Sequence, residues 1–368
     1  MNETILSVND LNVKFHLRGR TLHALRGINL DVYKGESLAI VGESGCGKSV
    51  LNKNFIGLLD VNGFVESGSI RYYGAPEKFK GNSAAAVDEA GRPYVDFTKF
   101  QKGNEWLKIR GSEVCMIPQD PMTSLNPLKS IGKQIVEAIE LHRGLKGKEA
   151  KEAAISILED VRIDDPRRRY KQYPHELSGG MRQRIVIAIA IACRPKILIC
   201  DEPTTALDVT IQAQVLKLLR ELKDKYDLTI IFITHDLGVV ANIAERVAVM
   251  YAGDIVELGM VGEIFYDPHH PYTWALLSSL PQLGHRGDDL YSIKGTPPNL
   301  FQEITGDAFA ARNPYALNID HEERPPYFDI TPTHKARTWL LDPRAPKVEP
   351  PAAIRKLKEL GGNAFGNA

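Results

Sequence analysis

One stretch constrains this chain more than any other: Gly42-Glu43-Ser44-Gly45-Cys46-Gly47-Lys48-Ser49 fits G-x-x-x-x-G-K-[ST]. It directly follows Ser37-Leu38-Ala39-Ile40-Val41, a short apolar run that ends in glycine as a fully buried strand does. Glycines let the backbone N–H groups of such a loop turn inward around phosphate oxygens. The helix that follows presents its positive N-terminal end to the same anion. Lys48 would reach the β- and γ-phosphates, and the Ser49 hydroxyl would bind Mg²⁺. Cys46 occupies a variable position at a helix start, where a thiol is either somewhat acidified or simply a spacer.

A strand–loop–helix start of this kind belongs in an α/β sheet, and the rest of the chain agrees. Lys196–Cys200 (KILIC) and Leu228–Thr234 (LTIIFIT) read as two more buried strands, with helical periodicity between them over Gln212–Leu222. Strands alternating with helices imply βα units and a mainly parallel sheet. Ahead of the loop, Ile5–Phe15 and Leu25–Val32 alternate loosely, which predicts an antiparallel pair of half-buried strands. Residues 131–163 look helical, with Ile135, Ile139, Ile155, Ile157 and Leu158 on periodic faces. Gly74–Trp106 is polar and glycine-rich and reads as a surface excursion. Beyond Gly262, Pro268, Pro271, Pro281, Pro297, Pro298 and Pro314 mark a loop-rich extension.

Composition limits the function classes. The 368 residues carry 46 Lys+Arg against 46 Asp+Glu, so charge gives no global pull toward nucleic acid. Hydrophobic residues at 43% and charged ones at 25% are ordinary for a soluble globular protein and exclude wholesale disorder. The longest apolar run, Ile185–Cys193, is far short of the ~20 residues a membrane span requires. The start, MNETILSVND, lacks the features of a signal peptide, so a cytosolic protein of more than one part is expected. Four cysteines without paired short spacings indicate neither a disulfide framework nor a zinc site.

Three further features carry chemistry. Ile197-Leu198-Ile199-Cys200-Asp201-Glu202 places two carboxylates where a buried strand emerges, and ligands of open α/β sheets bind at that end. Asp201 would hold Mg²⁺ and Glu202 would activate the attacking water, although many strands end in acids at an ordinary turn. His235 holds the same place on the next strand. A histidine there is often structural, but three strands ending in Gly42, Asp201 and His235 point to one crevice and a γ-phosphate contact. Leu177-Ser178-Gly179-Gly180-Met181-Arg182-Gln183-Arg184 opens an apolar helix, with Ser178 as N-cap. Its glycine backbone is either a second anion surface or an ordinary capped helix.

Together these features resemble the ATP-binding subunits of ABC transporters. GESGCGKS looks like their Walker A motif, ILICDE their Walker B and LSGGMRQR their signature; Gln119 looks like the Q-loop glutamine, Ala206-Leu207-Asp208 the D-loop and His235 the switch histidine. The resemblance implies a P-loop NTPase core over residues 1–262: a RecA-like mixed sheet, an antiparallel β-subdomain, and a helical signature subdomain near 125–195. It implies ATP and Mg²⁺ as cofactors, Gln119 as a further metal contact and Asp208 near the nucleotide. Phe15 is the best match to the aromatic residue that stacks on adenine. In this family two subunits pack head to tail, so Ser178, Gly179 and Gly180 would act in trans.

Gln119-Asp120-Pro121-Met122-Thr123-Ser124-Leu125-Asn126-Pro127, His270-Pro271-Tyr272-Thr273 and Gly295-Thr296-Pro297-Pro298 resemble the peptide and nickel importer branch. The whole chain is similar to oligopeptide-permease ATPase subunits of the D type, with residues 263–368 as their C-terminal extension. The resemblance implies an ATP hydrolase energising oligopeptide import from the cytoplasmic face of the plasma membrane. Its partners would be a second ATPase of the F type, two transmembrane permease subunits and an extracellular peptide-binding protein, with no nucleic acid. Nickel or dipeptide import, or a soluble non-transport role, are the alternatives. Many members hold an iron–sulfur cluster through cysteines in the extension. Here Gly306–Tyr315 has none, and no cysteine lies beyond Cys200, so no cluster is expected.

Overall fold

The computed structural model describes residues 3–101, 103–205, 207–280 and 293–365. Two sheets organise them. The first is antiparallel, in the order β2 (Arg20–Tyr33), β1 (Thr4–Leu17), β4 (Gly63–Tyr72), β6 (Pro93–Asp96), β5 (Ala85–Val87). The expected pairing of the two N-terminal strands is present as β1 with β2. Leu6 and Val8 face the core, and so do Leu11, Val13 and Phe15. The alternation slips by one residue between the two groups, at a bulge where Asp10 takes φ 44°, and this keeps both groups on the buried face.

The second sheet has eight strands. Five of them, β10 (Arg246–Tyr251), β3 (Ser37–Val41), β9 (Thr229–Thr234), β8 (Ile197–Asp201) and β7 (Val114–Ile117), run parallel in that order. All five residues of β3 and all six of β9 are buried, as parallel strands covered on both faces must be. β11 (Asp254–Met260) joins antiparallel beside β10, followed by the short β13 (Lys335–Ala336) and β12 (Phe328–Asp329).

Helices Ile131–Arg143, Gly147–Asp160, Gly179–Ala192 and Val209–Tyr226 cover the β7–β9 side. Ile131, Ile135 and Ile139 recur every four residues, so one stripe of the first helix is buried. The expected helical stretch over 131–163 is broken at Gly144, which takes φ 69° and ends the first helix. Gly179–Ala192 is apolar nearly all round and is buried accordingly.

One expectation needs correction. Residues 74–106 are more than a surface excursion, because β6 and β5 extend the antiparallel sheet. Phe79, Val95 and Phe97 are buried there, and Phe97 packs on Phe100 and Trp106 at centroid distances of 5.5 and 5.2 Å. The loop-rich segment beyond residue 262 has a core of its own against the main sheet, built on Tyr272, Trp274 and Phe309. Glu257 of β11 anchors it: fully buried, its carboxylate accepts from His334 Nε2 at 2.9 Å and from the N–H groups of His269 (2.7 Å) and His270 (3.1 Å). Burial alone would raise the Glu257 carboxyl, but these partners hold it below its ordinary value.

Candidate nucleotide site

The register of the parallel strands decides where the site lies. Val41 pairs with Thr234, Asp201 with Ile233 and Cys200 with Ile117. The residues that follow, Gly42, His235, Glu202 and Gln119, therefore emerge along one edge of the sheet at its carboxyl end.

The loop from Gly42 to Ser49 is held tight against the sheet. A Cβ on Gly42, whose φ is 153°, would collide with the Met250 carbonyl oxygen. Gly47, at φ 107°, precedes helix Lys48–Phe55 and lies against Ala24 and Met250. Only glycine fits either position. Ser44, Gly45 and Ser49 are exposed, so the crest of the loop and the first helical hydroxyl are open to a ligand. Lys48 is 6% exposed, and its Nζ donates to the carbonyls of Gly42 (2.7 Å) and Glu43 (2.9 Å). The ammonium is thus parked at the mouth of the loop. Burial pushes the Cys46 thiol up in spite of Lys48 beside it, which leaves Cys46 as a spacer and not an acidified nucleophile.

Glu202 is the meeting point of the other groups. It takes φ 46°, and its N–H donates to the Ile233 carbonyl at 3.0 Å. This left-handed turn is one that a non-glycine residue adopts at a cost of about 1–2 kcal/mol. Its Oε2 accepts from Gln119 Nε2 at 2.9 Å and from the Thr205 hydroxyl at 3.1 Å, and its Oε1 lies 3.1 Å from His235 Nδ1. Burial would raise the Glu202 carboxyl, but hydrogen bonds from His235 and Thr205 outweigh it and keep the group ionised. Asp201 beside it is pushed up, first by burial and then by Glu202, with Lys48 and Lys53 opposing. A bound cation would reverse that shift.

The oxygen donors suit a hard divalent ion, because Mg²⁺ keeps most of its waters and needs only one or two protein oxygens. Among the described residues no group of three or more His, Cys, Asp and Glu is placed to form a protein-only metal cage. Ser178 caps helix Gly179–Ala192 by accepting from the Met181 N–H at 3.4 Å, and both Ser178 and Gly179 are exposed. Asp208 caps the next long helix through the Ile211 N–H at 2.9 Å. Ala206 lies outside the described residues. Phe15 is 7% exposed and packs on Gly63, so its ring offers a ligand little surface in this state.

The sequence marks Thr205 only by its place three residues beyond Glu202. No local sequence signal marks Tyr272 or Arg312 as site residues. Tyr272 OH accepts from the Glu43 N–H at 2.8 Å, and Arg312 pairs with the Glu43 carboxylate at 2.7 Å.

Comparison with known proteins places the chain in a family. An ABC transporter family model matches residues 25–205, and one for the oligopeptide/dipeptide transporter C-terminal region matches residues 256–319. Over 355 residues the chain is 55% identical to the oligopeptide transport ATP-binding protein AmiE of Streptococcus pneumoniae, covering 96% of this chain and 94% of that one. The chain belongs to the ABC transporter ATP-binding proteins. It is also 51% identical over 364 residues to OppD, an oligopeptide transport ATP-binding protein of Bacillus subtilis, covering 98% of this chain and 96% of that one. An ATP-binding cassette dimer solved in a post-hydrolysis state with ADP and Pi shares the fold at TM-score 0.56 and 24% identity, over 70% of this chain and 98% of its own. The mixed sheet, the antiparallel sheet and the helices over β7–β9 agree with the fold expected of an ABC cassette.

Proposed function

We propose that this chain hydrolyses ATP to drive oligopeptide import through a membrane complex. The observation that carries the reading is the convergence of Gln119, Thr205 and His235 on the Glu202 carboxylate, on the same strand edge as the Lys48 loop. The loop N–H groups and Lys48 bind the phosphates of ATP. Ser49 and Asp201, with Gln119, hold Mg²⁺, which neutralises charge on the β- and γ-phosphates when bound. Glu202 takes the proton of the attacking water, His235 fixes that carboxylate and contacts the γ-phosphate, and Gln119 holds its other oxygen. Ser178 and Gly179 are exposed at a helix start with Gly180 half-buried behind them, which suits completion of the ATP site of a paired subunit in trans, with Asp208 near the same junction.

Residues 1–262 form the ATPase domain and 263–368 the importer extension in this reading. The pair is a head-to-tail dimer with an F-type ATPase, docked on two permease subunits at the cytoplasmic face, and an extracellular binding protein delivers peptide. Among the described residues no helix is long and apolar enough to cross a membrane, so the span falls to the permeases. Tagging this chain and purifying it in mild detergent tests the assembly. Recovery of two polytopic proteins, a second ATPase and peptide-stimulated ATP turnover is the expected result. ATP turnover unchanged by a loaded peptide-binding protein would refute the transport reading.

A further inference from the structure

The extension reaches into the phosphate loop at Glu43, the residue after Gly42. Its N–H donates to Tyr272 OH at 2.8 Å, and its carboxylate receives Arg312 Nη1 at 2.7 Å and Nη2 at 3.0 Å. Its carbonyl accepts from Lys48 Nζ at 2.9 Å. Tyr272 lies in helix Pro271–Ser278 and Arg312 ends the short turn Ala310–Arg312, so both contacts come from beyond residue 262.

Arg312 is pre-positioned by its own surroundings. Besides Glu43, its guanidinium donates to Tyr251 OH at 3.1 Å and to the carbonyls of Ile293 (3.3 Å) and Lys294 (3.1 Å). That gives five acceptors for the five N–H donors of an arginine. The rings of Tyr251 and Phe309 lie 5.8 and 5.9 Å from the guanidinium carbon, and the side chain is 5% exposed. Tyr272 packs on Tyr251 and Phe309 at 4.5 and 5.3 Å. The loop is thus gripped by a rigid aromatic block that carries one fork of charge.

Charge gives the grip a consequence. A free carboxylate in a loop that binds a polyanion repels it, and Arg312 cancels that charge in bidentate geometry. We propose that Arg312 and Tyr272 are positioning residues for nucleotide binding: the extension sets the conformation and the charge of the phosphate loop through Glu43. This inference rests on reading Gly42–Ser49 as the ATP cradle.

Calorimetric titration of the full chain with MgATP tests it. Arg312→Gln raises the dissociation constant about tenfold, the equivalent of one charge-assisted hydrogen bond. Arg312→Lys, which keeps the charge and loses the fork, falls between. Tyr272→Phe deletes a single hydroxyl and raises the constant about threefold, on the order of one neutral hydrogen bond. Raising the salt from about 0.05 to about 0.5 M narrows the gap between Arg312→Gln and wild type, because the bared Glu43 charge is screened; a merely structural defect would not respond in this way. Wild-type affinity in both Arg312→Gln and Tyr272→Phe, with cooperative melting retained, overturns the inference. If Arg312→Gln does not fold, Tyr272→Phe decides alone. A wild-type chain that binds no MgATP overturns the ATP reading itself, whereas wild-type binding with unaffected variants overturns only the role of the extension.

Discussion

Replacing Glu202 by glutamine separates chemistry from binding, and the geometry sets what the change removes. Oε2 takes both side-chain donors, Gln119 Nε2 and Thr205 Oγ1, while Oε1 faces His235 Nδ1. The amide oxygen of Glu202→Gln can occupy the first position and keep both donors. Its NH₂ then meets His235, which accommodates it by moving its proton to Nε2. The network survives, so ATP affinity is expected to stay within about twofold, less than one ordinary hydrogen bond. What is lost is the base. General acid–base assistance is worth roughly 10²–10⁴-fold. The hydrogen bonds that outweigh burial and depress the Glu202 carboxyl also weaken it as a proton acceptor. The expected loss is therefore in the lower half of that range, about 10²–10³-fold, or roughly 3–4 kcal/mol on the barrier. Single-turnover hydrolysis of labelled ATP by the assembled complex, at saturating nucleotide, reads it directly. A rate within about threefold of wild type, at intact ATP affinity, would refute the assignment of Glu202 as base.

Lys48→Ala removes the buried ammonium that donates to Gly42 and Glu43, and ATP affinity measured by calorimetry falls by about 10–100-fold, the worth of a charged hydrogen bond; unchanged affinity counts against the phosphate-loop role. Phe97→Ala opens a cavity beneath Phe100 and Trp106 and costs about 3–5 kcal/mol in denaturant unfolding, whereas a merely exposed excursion would lose under about 1 kcal/mol. Asp307 is pushed up to about 7 by burial. Its carboxyl is neutral in the folded chain where the unfolded chain already ionises, so the stability it confers is present in acid and lost as pH rises through about 7. Asp307→Asn should therefore gain melting temperature over wild type between about pH 4 and 7, with no further gain above; a constant difference across that window would exclude this linkage.

What could be read from the sequence was what local chemistry encodes. Leu38–Val41 and Ile230–Ile233 are unbroken apolar runs bounded by polar or glycine residues, and parallel strands covered on both faces leave that trace. Gly42, Asp201 and His235 could be placed together because each ends such a run, and the sheet register brings their strand ends to one edge. The antiparallel addition at β5 and β6 left no such trace. Its strands are three and four residues long, and the aromatic residues that pack it are spaced by turns and not by a strand period. Helix Ile131–Arg143 was legible as a periodic face, but its end at Gly144 was not separated from the next helix, which has the same periodicity.

The grip on Glu43 lies at the far limit of legibility, and the reason is physical. Tyr272 and Arg312 reach it across 229 and 269 residues of chain. Nothing in the sequence around Ala310–Arg312 distinguishes an arginine that will be buried from one that will be solvated. Burial there follows from Tyr251, at the end of a core strand, meeting Tyr272 and Phe309 from the extension. Once those rings exclude water, an arginine among them must be paired, since an uncompensated buried charge costs several kcal/mol. The Glu43 carboxylate is the partner the loop supplies. The residue after Gly42 is unconstrained by the phosphate-loop pattern itself, so a position free to vary for phosphate chemistry is the one available to carry a connection to the extension.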